Sequence, residues 1–330
     1  MSKVMKRGLV LALVLIAVSV VTIYYTVDMA ALHSLEAFNA ISIVLALLAL
    51  TVGMIFDGLR LQRLVAIGGY DLSIRAVLRV IFGNYFMALL TPGASGGAVA
   101  QVLILKSYGV PLLKAAPIVL IRTVFSILFL VVMLPIVFWQ TQVDIPYISQ
   151  EVLMGLSFAA VVATFVGVYA LQTKWLRQGI YWLLTKLKKG NPKSILQKLD
   201  SLNEGLSLLY KHPKQSLVVF IESGLSLLSL YCIAPALMYA FAPTVPLWPV
   251  LQLMIVLNLI LYFAPTPGGT GVAEGLFILL FAPFVPQGTV GIVAVAWRVI
   301  AEYLPFFIGM YAVLTLYGAQ FIAKANEPKN

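Results

Sequence analysis

Two arginines stand inside long apolar stretches of the sequence, where a charged side chain is costly. Arg122 lies about 16 Å along a helix from Pro111, and Arg298 lies about 15 Å from Gly288, at ~1.5 Å per residue. In an apolar layer ~30 Å thick, both would therefore lie near the midplane. Arginines at that depth usually face the interior of a helix bundle and contact a carboxylate or a ligand, so both are candidates for binding an anion.

Carboxylates lie close in sequence to one of these arginines but not to the other. Glu302 follows Arg298 by four residues, and Glu274 precedes it. A structural ion pair and an anionic ligand both fit this pattern, and the sequence leaves the choice open. For Arg122, a carboxylate from elsewhere in the chain or a substrate anion must supply the counter-charge. Glu222, which also lies in an apolar stretch, joins Glu274 and Glu302 as a candidate for proton coupling.

Two proline-glycine motifs interrupt apolar stretches that would otherwise form continuous helices. The first, TPGASGG, begins at Thr91, and the second, TPGGTG, begins at Thr266. A break inside a bilayer is tolerated only where the freed backbone groups are buried in protein or face water, so both motifs predict a polar cavity. The helix after the second motif would direct its free N–H groups at that cavity, which suits a phosphate. A tight helix-hairpin turn without a ligand is the alternative.

We therefore predict a binding site that combines both breaks, the asparagines that precede them and the buried charges. The predicted substrate-binding residues are Asn84, Thr91, Pro92, Gly93, Ser95, Gly96, Gly97, Arg122, Asn258, Thr266, Pro267, Gly268, Gly269, Thr270, Gly271, Glu274, Arg298 and Glu302. The sequence shows no nucleophile–base pair, no ATP motif and no Cys/His cluster. We therefore expect no enzymatic activity, no cofactor and no metal.

The composition fixes the class of protein that must position these residues. The chain is 62% hydrophobic and 10% charged, whereas about a quarter of the residues of a soluble domain are charged. Most lysines and arginines lie between apolar stretches, so the net charge of +10 reflects membrane topology and not nucleic-acid binding. Full membrane spans are predicted at about 8–27 (uncleaved), 38–59, 111–138, 152–171, 215–241 and 288–317.

Loop charges predict the orientation of these spans. The N-terminus and the segments 60–75 and 172–214 are basic and should be cytoplasmic, whereas 28–37 and 140–151 carry acids alone and should lie outside. The C-terminal tail carries lysines and should be cytoplasmic. The segment 172–214 contains apolar stripes at helical spacing, which predict an amphipathic linker on the cytoplasmic leaflet; a solvated loop is the alternative.

The two broken regions, 76–105 and 249–286, must each enter and leave on one side, the first from the cytoplasm and the second from outside. Asn84 and Asn258 precede the breaks at similar distances, and an arginine follows each break by 29 or 30 residues. These features predict an inverted repeat, with the first repeat at about 38–138 and the second at about 215–317. The predicted fold is a single all-α transmembrane domain over 1–330, with six full spans and two opposed re-entrant hairpins.

Three segments of the sequence resemble the flippase-like transmembrane region of the lysylphosphatidylglycerol synthases, or multiple peptide resistance factors. They are LTPGASGGAVAQVLILKSYGVPLLKAA, PTPGGTGVAEGLFILLF and AVAWRVIAEYLPFFIG, and the similarity covers nearly the whole chain. In the fused members of the family, this region carries aminoacylated phospholipid across the cytoplasmic membrane, and a separate domain makes that lipid. No synthase domain follows Asn330, so the resemblance implies a stand-alone member without aminoacyl transfer.

The resemblance also assigns motif positions. The residues at the family's motif positions are Pro92, Gly93, Gly96, Gly97, Pro267, Gly268, Gly269, Gly271, Glu274 and Arg298. Many relatives carry Arg and Glu within the first motif, where this chain has Ala94 and Gly97. The first hairpin therefore lacks the charges that many relatives have for holding a headgroup.

These observations favour a lipid translocase of the cytoplasmic (inner) membrane, with both termini cytoplasmic. The expected substrate is an anionic, aminoacylated or polyprenyl-phosphate-linked lipid that moves between leaflets, driven by a gradient or by mass action. One alternative is an ion-coupled transporter of a small anion; another is a non-transporting membrane partner of a lipid-modifying or glycan enzyme. The expected partners are membrane lipids, a second copy in a homodimer and a separate lipid-modifying enzyme, and not nucleic acid.

Overall fold

A computed structural model of the chain describes residues 38–91, 95–140, 149–171, 173 and 211–325. These residues form helices and no β-strand, which confirms the predicted all-α class for the part described. Within that part, four helices are long and apolar enough to cross a membrane: Ala40–Ile67, Leu112–Trp139, Pro213–Met238 and Val290–Leu316. They correspond to four of the predicted full spans.

The helices are numbered here in chain order. They are α1 (Ala40–Ile67), α2 (Ile74–Leu89), α3 (Ser95–Ser107), α4 (Leu112–Gln140), α5 (Gln150–Leu171), α6 (Pro213–Tyr231), α7 (Ile233–Met238), α8 (Leu247–Leu261), α9 (Val272–Phe281), α10 (Val290–Arg298) and α11 (Leu304–Ala325). A 3₁₀ turn, Ala282–Phe284, follows α9, and a π-helical turn, Val299–Tyr303, joins α10 to α11. The predicted span at 8–27 and most of the linker 172–214 lie outside the described residues.

Short helices replace long spans at both proline-glycine motifs. At the first motif α2 has 16 residues and α3 has 13, and at the second α8 has 15 and α9 has 10. Each is shorter than the ~20 residues that a span needs. The two helices of each pair pack against each other. The broken helices are thus found where the sequence predicted them, while re-entrance and the inverted repeat stay predictions.

The first of two compact units consists of Met1–Gly58, Leu72–Tyr108 and Leu225–Asn330. In its described part, small residues allow helices to approach closely, as is common in membrane proteins. Gly309 of α11 lies directly against the backbone carbonyl of Phe82 in α2, and a side chain at this glycine would collide with it. The rings of Phe86 and Phe306 pack 5.2 Å apart across the same two helices.

The second unit consists of Leu59–Asp71 and Gly109–Gly224. In its described part α4 packs along α5, and the ring of Phe220 lies 5.9 Å from that of Phe129. Gly224 leaves room for the Phe129 ring, which a β-carbon at that position would meet. This unit therefore has an aromatic core of its own.

Candidate functional site

The second break is a turn built from glycines in the left-handed region of backbone space. Gly268, Gly269 and Gly271 have φ angles of 57°, 66° and 82°, which residues with a β-carbon rarely adopt. The Gly269 N–H donates to the carbonyl of Thr266 and the Thr270 N–H to that of Pro267, both at 3.1 Å. These two amides of the turn are therefore bonded within the chain.

A carboxylate of the protein itself occupies the N-terminus of α9. Glu274 Oε2 accepts a hydrogen bond of 2.7 Å from the backbone N–H of Gly271, three residues before it. A negative charge in the first turn of a helix is stabilised by the helix dipole and by the unpaired N–H groups. One N–H group at the start of α9 is therefore bonded by the protein's own Glu274 side chain.

Arg298 binds the second break from the end of α10. Its Nε donates to Glu274 Oε1 at 2.9 Å, and both terminal nitrogens donate to the carbonyl of Gly268 at 3.1 Å. Nη2 also contacts Thr270 Oγ1 at 3.4 Å, and Nη1 forms an ion pair with Glu302. A guanidinium has five N–H donors, so each of them has an acceptor here. The side chain is buried and holds the turn to α10.

Glu302 lies in the π-helical turn that follows Arg298. The Leu304 N–H donates to the carbonyl of Val299, five residues back, instead of to the residue four back. Pro305 follows directly, and a proline inside a regular α-helix lacks an N–H and clashes with the carbonyl four residues before it. The wider turn relieves that clash, and such turns are frequent at functional sites. The sequence analysis missed it, although a proline inside the predicted span signals such an irregularity.

The first break is capped by a hydroxyl. Thr91 Oγ1 accepts from the Gly96 N–H at 2.7 Å and donates to the carbonyl of Met87 at 2.8 Å. Gly96 and Gly97 pack so closely on Thr91 and Asn84 that neither position has room for a side chain. Pro92 and Gly93 lie outside the described residues. Ser95, the first residue of α3, is exposed.

A buried amide pair links the two helices of the first break. Gln101 Nε2 donates to Asn84 Oδ1 at 2.8 Å, and Gln101 is only 3% exposed. Gln101 is a polar residue of the site that the sequence analysis did not identify. Its spacing from Asn84 carries no helical signal because the break separates them. The corresponding Asn258 instead bonds its own helix, donating to the carbonyl of Met254 at 2.9 Å.

The two breaks meet within the first unit. Gly268 lies against the side chain of Leu89, the last residue of α2, and a β-carbon at the glycine would collide with it. Close by in sequence, Thr266 Oγ1 is buried and has no hydrogen-bond partner among the described residues. The contact between Gly268 and Leu89 therefore joins the two breaks, and Glu274, Arg298 and Glu302 lie beside the second.

The other two charged residues of the prediction, Arg122 and Glu222, belong to the second unit. Arg122 is 6% exposed in α4, and Glu222 forms an ion pair of 2.7 Å with Arg63 of α1. Arg60 of α1 is also buried and donates to Ser126 Oγ at 2.8 Å. We had assigned Arg60 and Arg63 to a cytoplasmic loop after a span that ends at 59, but α1 continues to Ile67.

The chain matches a known protein family over most of its length. Residues 9–309 match the family described as the lysylphosphatidylglycerol synthase TM region. The chain belongs to this family. A relative is a UPF0104 membrane protein of Archaeoglobus fulgidus, which is 22% identical over 316 residues, covering 91% of this chain and 94% of that protein. The resemblance inferred from the motifs is thereby confirmed.

Membership of the lysylphosphatidylglycerol synthase TM-region family covers the whole candidate site. Both breaks and the ion pairs of Arg298 and Arg63 fall within the matched residues. The family name indicates a membrane role related to lipids.

Proposed function

We propose that the protein is a flippase-like lipid translocase of the cytoplasmic membrane. It moves an anionic, aminoacylated or polyprenyl-phosphate-linked lipid between leaflets. The observation that carries this proposal is the meeting of two broken helical pairs, at Leu89 and Gly268, beside buried charges of a membrane-crossing helix. Buried charges in such a helix are expensive and commonly mark a substrate or ion pathway.

Exposed apolar side chains beside the second break favour a lipid over a small soluble anion. Phe263, just before the motif, is 79% exposed, and Leu279 of α9 is 71% exposed. A polar turn next to such a surface can hold a headgroup while the acyl chains stay in apolar surroundings. A soluble anion would gain nothing from these side chains. Lipid transport therefore explains the arrangement better.

In this proposal the residues of the two breaks hold the headgroup from opposite sides as it crosses. Thr91, Ser95 and Asn84 supply hydroxyl and amide groups at the first break. The glycines of the second break let the headgroup approach the backbone, and Arg298 supplies the positive charge. Arg122, a buried cation of the second unit, is a separate candidate contact for the headgroup.

Leaflet exchange in proteoliposomes tests the proposal. Fluorescently labelled phosphatidylglycerol is reduced by dithionite from outside, and the rate at which protected lipid becomes accessible is measured for wild type, Arg298→Gln and Arg122→Gln. A charge-assisted hydrogen bond contributes about 1.5–3 kcal/mol, so each variant should be roughly tenfold to a hundredfold slower. The matched control is Arg75→Gln, because Arg75 is exposed at the start of α2. Normal exchange in both buried-arginine variants would overturn the proposed mechanism.

Two further measurements distinguish the alternatives. Uptake of inorganic phosphate by the same vesicles, without lipid exchange, would indicate a transporter of small anions. Removing one member of a buried ion pair destabilises a protein by about 3–5 kcal/mol, so folding of each variant is checked by circular dichroism. Arg298→Lys keeps the positive charge but replaces the planar guanidinium by an ammonium group. In a folded protein it should lower the exchange rate less than Arg298→Gln does.

A further inference from the structure

The charges around Arg298 do not balance. Its guanidinium contacts two carboxylates, those of Glu274 and Glu302, so the ionised cluster carries one surplus negative charge. This is unexpected for a site that is to receive an anionic headgroup. An added phosphate would raise the surplus further in buried surroundings, where uncompensated charge is costly.

The two carboxylates are held differently. Glu274 bonds both the Gly271 N–H and Arg298 Nε, and its side chain is 4% exposed. Glu302 contacts only Arg298 Nη1 among the described residues, and its side chain is 21% exposed. It also lies in the π-helical turn. Glu302 is therefore the partner that can leave Arg298 without disrupting the turn of the second break.

The groups that face Glu302 are few. α10 contributes Arg298, α9 contributes Glu274, and Tyr303 is its neighbour in the π-helical turn. In α11, which follows that turn, Tyr311 is 71% exposed. Arg298 is thus the one cation described beside Glu302, and a proton is the simplest charge that Glu302 can take up in its place.

We propose that Glu302 binds one proton when an anionic headgroup binds. The proton joins a carboxylate oxygen of Glu302, the ion pair with Nη1 of Arg298 opens, and the headgroup phosphate accepts from Nη1 instead. One negative charge is neutralised as another arrives, so the net charge of the buried cluster is unchanged. This inference rests on the proposed function and deepens it, because it assigns a coupling ion and the residue that binds it.

The consequence for transport is that proton and lipid anion are bound as a neutral pair. A proton gradient could then drive the headgroup across. Each N–H donor of Arg298 has an acceptor within the chain, so a headgroup has to replace one of these acceptors. Glu302 acts as an internal substitute for the headgroup, and its protonation frees the site.

Binding measured as a function of pH tests this inference. Dihexanoyl-phosphatidylglycerol is titrated into the full chain in detergent by calorimetry between about pH 5 and about pH 9, where its phosphodiester stays ionised. In the range where Glu302 is ionised, affinity for the lipid should fall about tenfold for each unit by which the pH rises. The reason is that the protein takes up one proton for each lipid it binds. Repeating the titration in buffers of different ionisation enthalpy should report uptake of one proton in wild type, without the need for any variant.

Glu302→Gln imitates the protonated carboxyl group. It should bind the lipid with an affinity that does not change with pH and equals that of wild type at the lowest pH. Glu151→Gln, at an exposed carboxylate of α5, should keep the wild-type pH dependence. Flat binding in wild type, or unchanged pH dependence in Glu302→Gln, would overturn the inference while leaving lipid binding intact. No binding at any pH would overturn both this inference and the proposed substrate class.

Discussion

Replacing Gly268 by alanine tests whether the two breaks meet. The substitution has two costs. A residue with a β-carbon at φ 57° is strained, which costs about 1–2 kcal/mol. Its β-carbon would also collide with the Leu89 side chain, and relief of such overpacking costs about 1–3 kcal/mol more. Gly268→Ala should therefore lower the free energy of unfolding by about 2–5 kcal/mol.

Gly271 provides a matched control for this prediction. Its φ is 82°, but a β-carbon there would meet no atom within 4 Å. Gly271→Ala should therefore show a backbone cost without a collision, about 1–3 kcal/mol at φ 82° and ψ −45°. Only the cost of Gly268→Ala should depend on the Leu89 side chain.

Unfolding in mixed detergent micelles, followed by circular dichroism, measures these free energies. Repeating both substitutions in a Leu89→Ala background completes the comparison. The excess cost of Gly268→Ala should disappear there, because the colliding side chain is gone. An unchanged cost of Gly268→Ala in the Leu89→Ala background would refute the reasoning that places Leu89 against Gly268.

Two other predictions use pairs of residues as controls for each other. Thr91→Val removes the cap of α3 and should lower the free energy of unfolding by about 1 kcal/mol. Thr266→Val removes a buried hydroxyl that has no hydrogen-bond partner among the described residues, so it should leave the stability unchanged or raise it. For Arg63 and Glu222, a double-mutant cycle with Gln should give a coupling of about 0.5–1 kcal/mol, since Arg63 is 37% exposed and solvent weakens the pair. Equal effects of the two valines, or zero coupling, would contradict these interpretations.

The positions of the breaks could be predicted from the sequence because proline and glycine act locally. α2 ends at Leu89, just before the first motif, and α8 ends at Leu261, just before the second. The contact between Arg298 and Glu302 could be predicted too, because a spacing of four residues places side chains on one helix face. In both cases the signal lies within a few residues of the feature.

The sequence also contains a signal for the capping role of Glu274, which the sequence analysis did not recognise. An acidic residue at the third position of a helix, three residues after the N-cap, is a common capping signal. Gly271 and Glu274 have that spacing, and the carboxylate does accept from the Gly271 N–H. Free N–H groups at the start of α9 were expected because the glycines suggested a phosphate site, and Glu274 was considered as a partner for arginine, a substrate contact and a candidate for proton coupling, but not as a cap.

The end of α1 could not be predicted from local pattern. Arg60 and Arg63 look like loop residues beyond a span, but the helix continues through them and both side chains contact distant parts of the chain. Glu222, the partner of Arg63, is 159 residues away in sequence, and Ser126, which accepts from Arg60, is 66 residues away. These contacts join residues that are far apart in sequence, so a single sequence does not reveal where the helix ends.

The choice between a structural and a ligand-binding role for Arg298 changes once its donors are counted. All five N–H groups are engaged, so the arginine cannot bind an anion by simple addition. Binding has to be an exchange, and the partner given up must be the one whose loss leaves the turn intact. Glu274 fails that condition because it also caps α9. Glu302 meets it, so we infer that one arginine serves both roles, with its ion pair to Glu302 opening as the headgroup binds.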